Sequence, residues 1–201
     1  HCKFAFVTNE SYKKIAIERG GMKPEDVFVL RSGPKLERLK IQAPKNEIKR
    51  GKKFMVGYLG VIGQQEGIEY LLKAAKYIKE LPGRNDVFWG IVGGGPDVEH
   101  MKKLSHDMGL DDIVEFTGRV PDQTLLDYLN TADVCVNSDE YNAMNDKSTM
   151  NKVLEYMALG KPLVQFDLTE GRFSAQEASL YAKRNDAEDM AKKIHELLDN
   201  P

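Results

Sequence analysis

Ser148 and Glu155 are the side chains from which chemistry can first be read. They lie in the stretch Asn145-Asp146-Lys147-Ser148-Thr149-Met150-Asn151-Lys152-Val153-Leu154-Glu155-Tyr156-Met157-Ala158-Leu159-Gly160-Lys161-Pro162. Met150, Val153, Leu154, Met157 and Ala158 recur at the helical period, which predicts a helix over Met150–Leu159 with that row as its buried face. Gly160 and Pro162 stop it. Ser148 or Thr149 suits the N-cap, where free N–H groups and the positive dipole end make an anion site. Glu155 follows Ser148 by almost two turns, about 10 Å along the axis, and its carboxylate leans back towards the cap. A carboxylate accepts from two adjacent hydroxyls, so the pair suits a diphosphate at the cap with a ribose beside Glu155. An ordinary cap and a solvated glutamate satisfy the same pattern, and the residues alone leave both readings open.

Two glycine turns could serve the same ligand. Gly57-Tyr58-Leu59-Gly60-Val61-Ile62-Gly63 ends one apolar run and Gly93-Gly94-Gly95-Pro96 ends the next. Ligands of open α/β sheets bind beyond the carboxyl ends of strands, where glycine lets the backbone approach phosphate. Each turn taken singly is also what a tight strand-to-helix connection needs. The dinucleotide fingerprint fails, because Gly93-x-Gly95 continues to Val98 where a third glycine is required. Nor is there a Gly-Lys-Ser/Thr, so a P-loop is excluded.

Positioning these turns takes a regular alternation of elements, and from residue 53 the sequence supplies one. Strands are predicted at Phe54–Leu59, Val87–Val92, Ile113–Phe116, Val134–Val136, Pro162–Phe166 and Ser179–Ala182. Helices are predicted between them near Gly67–Leu81, Asp97–Gly109, Gln123–Asn130, Met150–Leu159 and Ala187–Asp199.

 
That order implies a right-handed, doubly wound parallel sheet of the Rossmann-like α/β class. The opening residues differ: a strand (Phe4–Val7), a helix (Tyr12–Arg19) and a strand (Val27–Leu30) are too small to bury a core alone. We read residues 1–40 as the tail of a preceding domain with its crossover, 41–52 as a linker within Arg31–Gly51, a stretch rich in Lys, Pro and Arg, and 53–201 as the main domain.

Composition narrows the partners. The 29 Lys and Arg nearly balance 31 Asp and Glu, so no global field recruits nucleic acid and an anion site must be built locally. The longest apolar runs, such as Phe88-Trp89-Gly90-Ile91-Val92, fall far short of the roughly 20 residues that span a bilayer. The start at His1, with no signal-peptide pattern, suggests an excised or processed chain. Of the two cysteines, Cys135 sits in an apolar run and reads as a small buried strand residue, and a reducing cytoplasm fits. Asn9-Glu10-Ser11 matches the glycosylation sequon by chance.

Gly60, Gly93–Pro96, Phe116-Thr117-Gly118-Arg119-Val120-Pro121 and Glu155-Tyr156-Met157-Ala158-Leu159-Gly160-Lys161-Pro162 together resemble the C-terminal domain of family-4 (group 1) glycosyltransferases. Asp146-x-Ser148-Thr149-Met150 with Asp167-Leu168-x-Glu170-x-Arg172-x-Ser174-Ala175 resembles one branch of that family. The resemblance implies a GT-B architecture, in which two Rossmann-like domains face a cleft and the C-terminal one holds the nucleotide-diphospho-sugar. It implies transfer with retention to a glycan or lipid-linked acceptor, without a bound metal or other cofactor. By position it assigns Glu155 to the ribose, the backbone at Arg119-Val120 to the border of the base, and Ser148-Thr149-Met150 to the diphosphate. Gly60, Val61 and Gly93 would line the same donor site. The missing N-terminal domain would be a further partner and could bring peripheral membrane association.

Three positions depart from the family. Where members carry an Arg after the Gly60 position and a Lys before the Gly67 position, this chain has Val61 and Glu66. The first of the family's paired glutamates would fall at 147, which is Lys. A diphosphate leaving group held without metal needs cations or amide donors, and Lys147, Arg172 or Arg119 could supply them. No side chain stands out as nucleophile or general base, so the catalytic residues stay unassigned. The expected function is a hexosyltransferase-type enzyme of polysaccharide biosynthesis, inactive as this piece alone. The alternatives are a non-catalytic nucleotide-sugar-binding module and a sugar-nucleotide epimerase on the same fold.

Overall fold

The computed structural model describes residues 2–200. A small N-terminal unit comprises β1 (Ala5–Val7), α1 (Glu10–Glu18) and β2 (Val27–Val29), with β1 and β2 paired in parallel. The main unit then alternates: β3 (Phe54–Leu59), α2 (Ile68–Glu80), β4 (Val87–Val92), α3 (Val98–Asp107), β5 (Val114–Gly118), α4 (Asp122–Thr131) and β6 (Val134–Asn137). It continues with α5 (Asn151–Ala158), β7 (Leu163–Phe166), α6 (Thr169–Ala175), β8 (Ser179–Ala182) and α7 (Ala187–Asp199).

Six strands, all parallel, lie in the order β5-β4-β3-β6-β7-β8. The chain winds outward from β3 to β5, then returns to the other side of β3 with β6. The strand order therefore reverses between β3 and β6, and it is there that an open parallel sheet leaves a crevice beyond its carboxyl ends. Central strands buried on both faces read as continuous apolar runs, and Val87–Val92 is buried at every position. One face packs against Ile68, Leu71, Leu72 and Ile78 of α2 and Met190 and Ile194 of α7. The other packs against Leu126 and Leu129 of α4 and Val153 and Tyr156 of α5. The doubly wound expectation is met, and Cys135 is buried and free, its thiol pushed up to about 12 by burial.

Three local expectations change. The buried row of α5 is Val153, Tyr156 and Leu159, whereas Met150, Leu154, Met157 and Ala158 are half-buried. The helix is turned because the Tyr156 hydroxyl is drawn under the sheet edge, accepting from the Leu59 amide at 2.8 Å. Helix α6 was not expected: seven residues with Gly171 inside show no usable period, yet Glu170, Gly171 and Ala175 are buried. The segment 41–52 does not hang free. Gln42 and Lys45 donate their amides to Asn130 and Thr131, and Lys49 Nζ reaches Asp133 at 2.8 Å, so it lies along α4. Asn9 of the sequon is fully buried, which closes it to glycosylation.

Candidate functional site

The glycine turns after β3 and β4 knit into each other. Gly60 N–H donates to Val92 O at 3.1 Å, Ile62 N–H to Gly94 O at 3.1 Å, and Gly93 N–H to Gly118 O at 3.1 Å. A Cβ at Gly93, where φ is 137°, would overlap the Gly60 carbonyl oxygen, and one at Gly95 would overlap that of Ile62. These glycines are therefore required by loop-to-loop contact. The amides of Gly60 and Gly93 are already committed, so these two residues can shape a ligand site but cannot donate to it. Val61 stands at its rim, 55% exposed. Arg119 is exposed and lies over Gly94, while Val120 is half-buried beside it.

The turn before α5 offers what the glycine turns do not. The predicted cap is corrected: α5 begins at Asn151 after Met150, with no side-chain cap. Ser148 is spent locally, its amide on Asn145 O at 3.1 Å and its hydroxyl on Met144 O at 2.8 Å. Thr149 uses its hydroxyl to accept from Asn9 at 3.0 Å. Among the described residues, the amides of Thr149 and Met150 have no acceptor, and neither residue is fully buried. An unpaired backbone N–H is satisfied by solvent or by a ligand, and two in succession at a helix start form an anion seat. Lys147 is half-buried and makes no ion pair among the described residues. Arg172 is not a comparable cation: it pairs with Asp167 at 2.7 Å and stacks on Tyr181.

Glu155 and Asn151, one turn apart, open together on a crevice of about 190 Å³ whose far wall is Gly33, Pro34, Lys35, Arg38 and Leu39. Burial raises the Glu155 carboxyl above its ordinary value, opposed by the charge of Arg38. Arg38 also pairs with Asp122 at 2.8 Å, two residues beyond Val120. The chain before the linker thus connects the Glu155 crevice to the Arg119-Val120 segment. A larger cavity of about 450 Å³ lies on the outer flank of α2, among Lys73, Lys76, Tyr77, Glu80 and Met108, far from the carboxyl edge of the sheet. Its two lysines are paired along the helix, Lys73 with Glu69 and Lys76 with Glu80, whereas the crevice lies beside the unpaired amides of the α5 turn.

Sequence reasoning missed Lys152. Its Nζ is buried under the Gly60 loop and donates to Asp139 at 2.8 Å, Glu66 at 2.9 Å and the Tyr58 hydroxyl at 3.2 Å, using all three protons. Tyr58 in turn donates to Val61 O at 2.9 Å, so the ion cluster props up the turn after β3. Burial raises the Asp139 carboxyl to about 7, with Lys152 opposing and Glu66 assisting. Asp139 Oδ2 has no partner unless one of the two carboxyls is protonated, in which case the pair shares a hydrogen bond. The signal was present in the charge reversal at Glu66, which requires a cation elsewhere. Among the described residues, no group of three or more His, Cys, Asp or Glu is placed to hold a metal ion.

The model of the family described as "Glycosyl transferases group 1" matches residues 53–200. An uncharacterized glycosyltransferase of Haemophilus influenzae is 27% identical over 162 residues, 79% of this chain and 43% of that one. A second, of Methanocaldococcus jannaschii, is 32% identical over 110 residues, 55% of this chain and 26% of its own length. The chain thus spans less than half the length of these curated relatives. Among solved structures, Anabaena HepE in complex with UDP and glucose superposes with a TM-score of 0.81 over 99% of this chain and 54% of that one, at 16% identity. S. aureus TarM, solved with fondaparinux, α-GlcNAc-glycerol and UDP, gives 0.77 over 98% of this chain and 37% of TarM, at 20% identity. The fold is that of the C-terminal domain of GT-B enzymes, and with the family model matched across its whole main unit the chain belongs to the group 1 glycosyltransferases.

Proposed function

We propose that this chain carries the donor site of a retaining glycosyltransferase, binding a nucleotide-diphospho-sugar and passing the sugar to a glycan or lipid-linked acceptor. The observation that carries the reading is the pair of amides at Thr149 and Met150, unsatisfied among the described residues and about one and a half turns ahead of Glu155. The diphosphate would sit on these amides with Lys147 beside it, the ribose hydroxyls on Glu155, and the base against Arg119-Val120. The amides, the α5 dipole and Lys147 would stabilise the departing nucleoside diphosphate without a resident metal, by position and electrostatics. HepE was solved with UDP and glucose and TarM with UDP, which supports a donor of this chemical class.

We assign residues 2–40 to the end of an acceptor-side domain and its crossover, 41–52 to a docked linker and 53–200 to the donor domain. Acceptor contacts would then fall mostly outside this chain, which by itself would bind donor and not transfer sugar. Among the described residues no helix is long and apolar enough to cross a membrane, and a cytoplasmic site of action fits the two free cysteines. One observation favours a second reading, a binding module without activity: Glu66 is locked in the Lys152 cluster, so the turn after β3 brings no cation to a diphosphate.

Calorimetry with UDP, GDP, ADP and dTDP tests the site. At least one should bind, with affinity unchanged by EDTA; no binding by any of them, in this chain or in the longest parent chain, removes the donor reading. Sugar transfer by the parent chain then separates an enzyme from a binding module.

A further inference from the structure

The donor-side turn at 145–149 is held from three sides, and one side belongs to the N-terminal unit. Asn145 Nδ2 donates to Gln65 O and Glu140 O, both at 2.9 Å, which fastens the turn to the β3 side of the crevice. Asp146 accepts from the Thr169 amide at 2.9 Å and from its hydroxyl, which fastens it to α6. The third hold is Asn9, which is fully buried at the start of α1. Its Oδ1 caps α1 by accepting from Tyr12 N–H at 2.8 Å. Its Nδ2 donates to Lys147 O at 2.9 Å and to Thr149 Oγ1 at 3.0 Å. Tyr12, one turn along, places its hydroxyl 2.7 Å from Ser148 Oγ.

The same end of the N-terminal unit is anchored beside these bonds. Ser11 donates its hydroxyl to Glu170 Oε1 at 2.6 Å and its amide to the same oxygen at 3.3 Å. Arg31 lies 3.8 Å from the other oxygen of that buried carboxylate and stacks on Phe173 at 4.0 Å. Asn9 is therefore not a cap that happens to touch the turn. Its single side-chain amide grips residues 147 and 149 together; the planar peptide that carries Lys147 O also carries the Ser148 N–H, itself bonded to Asn145 O at 3.1 Å, so the chain is held on both sides of the peptide that joins Ser148 to Thr149. Among the described residues, the N–H groups of Thr149 and Met150 are the first unpaired ones at and beyond this held segment.

We infer that Asn9 is a positioning residue for diphosphate binding: from the N-terminal unit, it aims the Thr149 and Met150 amides at the ligand. The inference rests on the donor reading above. It makes the anion seat a joint product of two units, since α5 itself supplies no side-chain cap to hold its own first turn.

The test uses the full chain and three ligands: the nucleoside diphosphate that binds most tightly, its nucleoside, and inorganic pyrophosphate. Asn9→Ser keeps a capping oxygen on α1 but cannot reach both partners. It should weaken the diphosphate and pyrophosphate about 10-fold, the scale of one to two net hydrogen bonds, and leave the nucleoside unchanged. Tyr12→Phe should cost less, about 3-fold, with the same selectivity. Thr149→Val removes the Asn9 acceptor while keeping the Thr149 amide; it should act like Asn9→Ser, and the double variant should lose no more than either alone. This pair also serves if Asn9→Ser folds poorly. Unchanged diphosphate affinity in folded Asn9→Ser and Thr149→Val, or equal weakening of nucleoside and diphosphate, overturns the inference. Failure of both the unaltered chain and the longest parent chain to bind any nucleoside diphosphate overturns the donor reading itself, and this one with it.

Discussion

At Glu155, ligand chemistry and titration meet. Its carboxyl is half-buried against the 33–39 segment and carries a raised pKa from desolvation. Two ribose hydroxyls need an ionised acceptor, so nucleoside diphosphate affinity should fall on acidification, and fall earlier than an exposed glutamate would allow. Glu155→Gln should bind more weakly and show no such fall; a wild-type titration parallel to that of the Gln variant would separate Glu155 from the ribose. Asp139 gives a second prediction, in stability. Its folded carboxyl holds a proton up to about 7, while the unfolded chain releases it near 3.8, so the folded state binds the extra proton between these values. Stability from this group is present at low pH and is lost as pH rises through that window, by at most about 1.4 kcal/mol per pH unit. Asp139→Asn mimics the protonated form, so in chemical denaturation it should gain on wild type from pH 4 to 7 and then level off. Parallel curves would place Asp139 ionised throughout. Glu155 was legible in the sequence because its helix spacing is local. Asp139 was not, because its partners Glu66 and Lys152 come from distant segments and only the fold brings them together.

Among elements, the strands were the most legible, since burial on both faces leaves unbroken apolar runs such as Val87–Val92. The faces of helices were less so. The periodicity of α5 names five apolar residues, but packing chose Tyr156 as the innermost, because a buried hydroxyl can satisfy the Leu59 amide at the sheet edge where an alkyl chain cannot. Glycine turns were legible as turns but ambiguous in purpose. The structure resolves Gly93 towards packing: its φ of 137° and the Gly60 carbonyl against its missing Cβ leave no room for a side chain. Gly93→Ala should therefore cost at least about 3 kcal/mol, combining left-handed strain with displacement of the loop after β3. Thermal melting would show this as a clear drop in Tm. Gly83, with φ 78° but open space around it, is the control for strain alone, and Gly83→Ala should lose only about 1 kcal/mol. Equal losses at the two positions would mean that the loop contact contributes nothing.

For the whole molecule, the order of elements sufficed to read a doubly wound sheet, because parallel crossovers of one hand admit few topologies. Composition misled in the segment 41–52. Lys, Pro and Arg without periodicity look like a free tether, yet this segment spends its polar groups on α4 and the start of β6. Lys49 donates to both oxygens of Asp133 at 3.0 and 2.8 Å, and Asp133 in turn accepts from the Met55 amide at 2.7 Å. Ile48 packs on the core beneath. Such contacts cannot be read from a sequence, since each joins residues about eighty positions apart. They do set where the main unit ends. A chain starting at Ile41 should melt cooperatively with its sheet intact. One starting at Lys53 should lose the Lys49 bridge and the Ile48 contact, about 2 kcal/mol together, and melt roughly 4–8 °C lower for a unit of this size. Equal melting temperatures would return the segment to the role of a tether and put the boundary of the main unit at Lys53. A lower one makes the docked segment part of the domain's own fold, so that movement between the two units must be absorbed before Ile41, in the 31–40 stretch that also walls the Glu155 crevice.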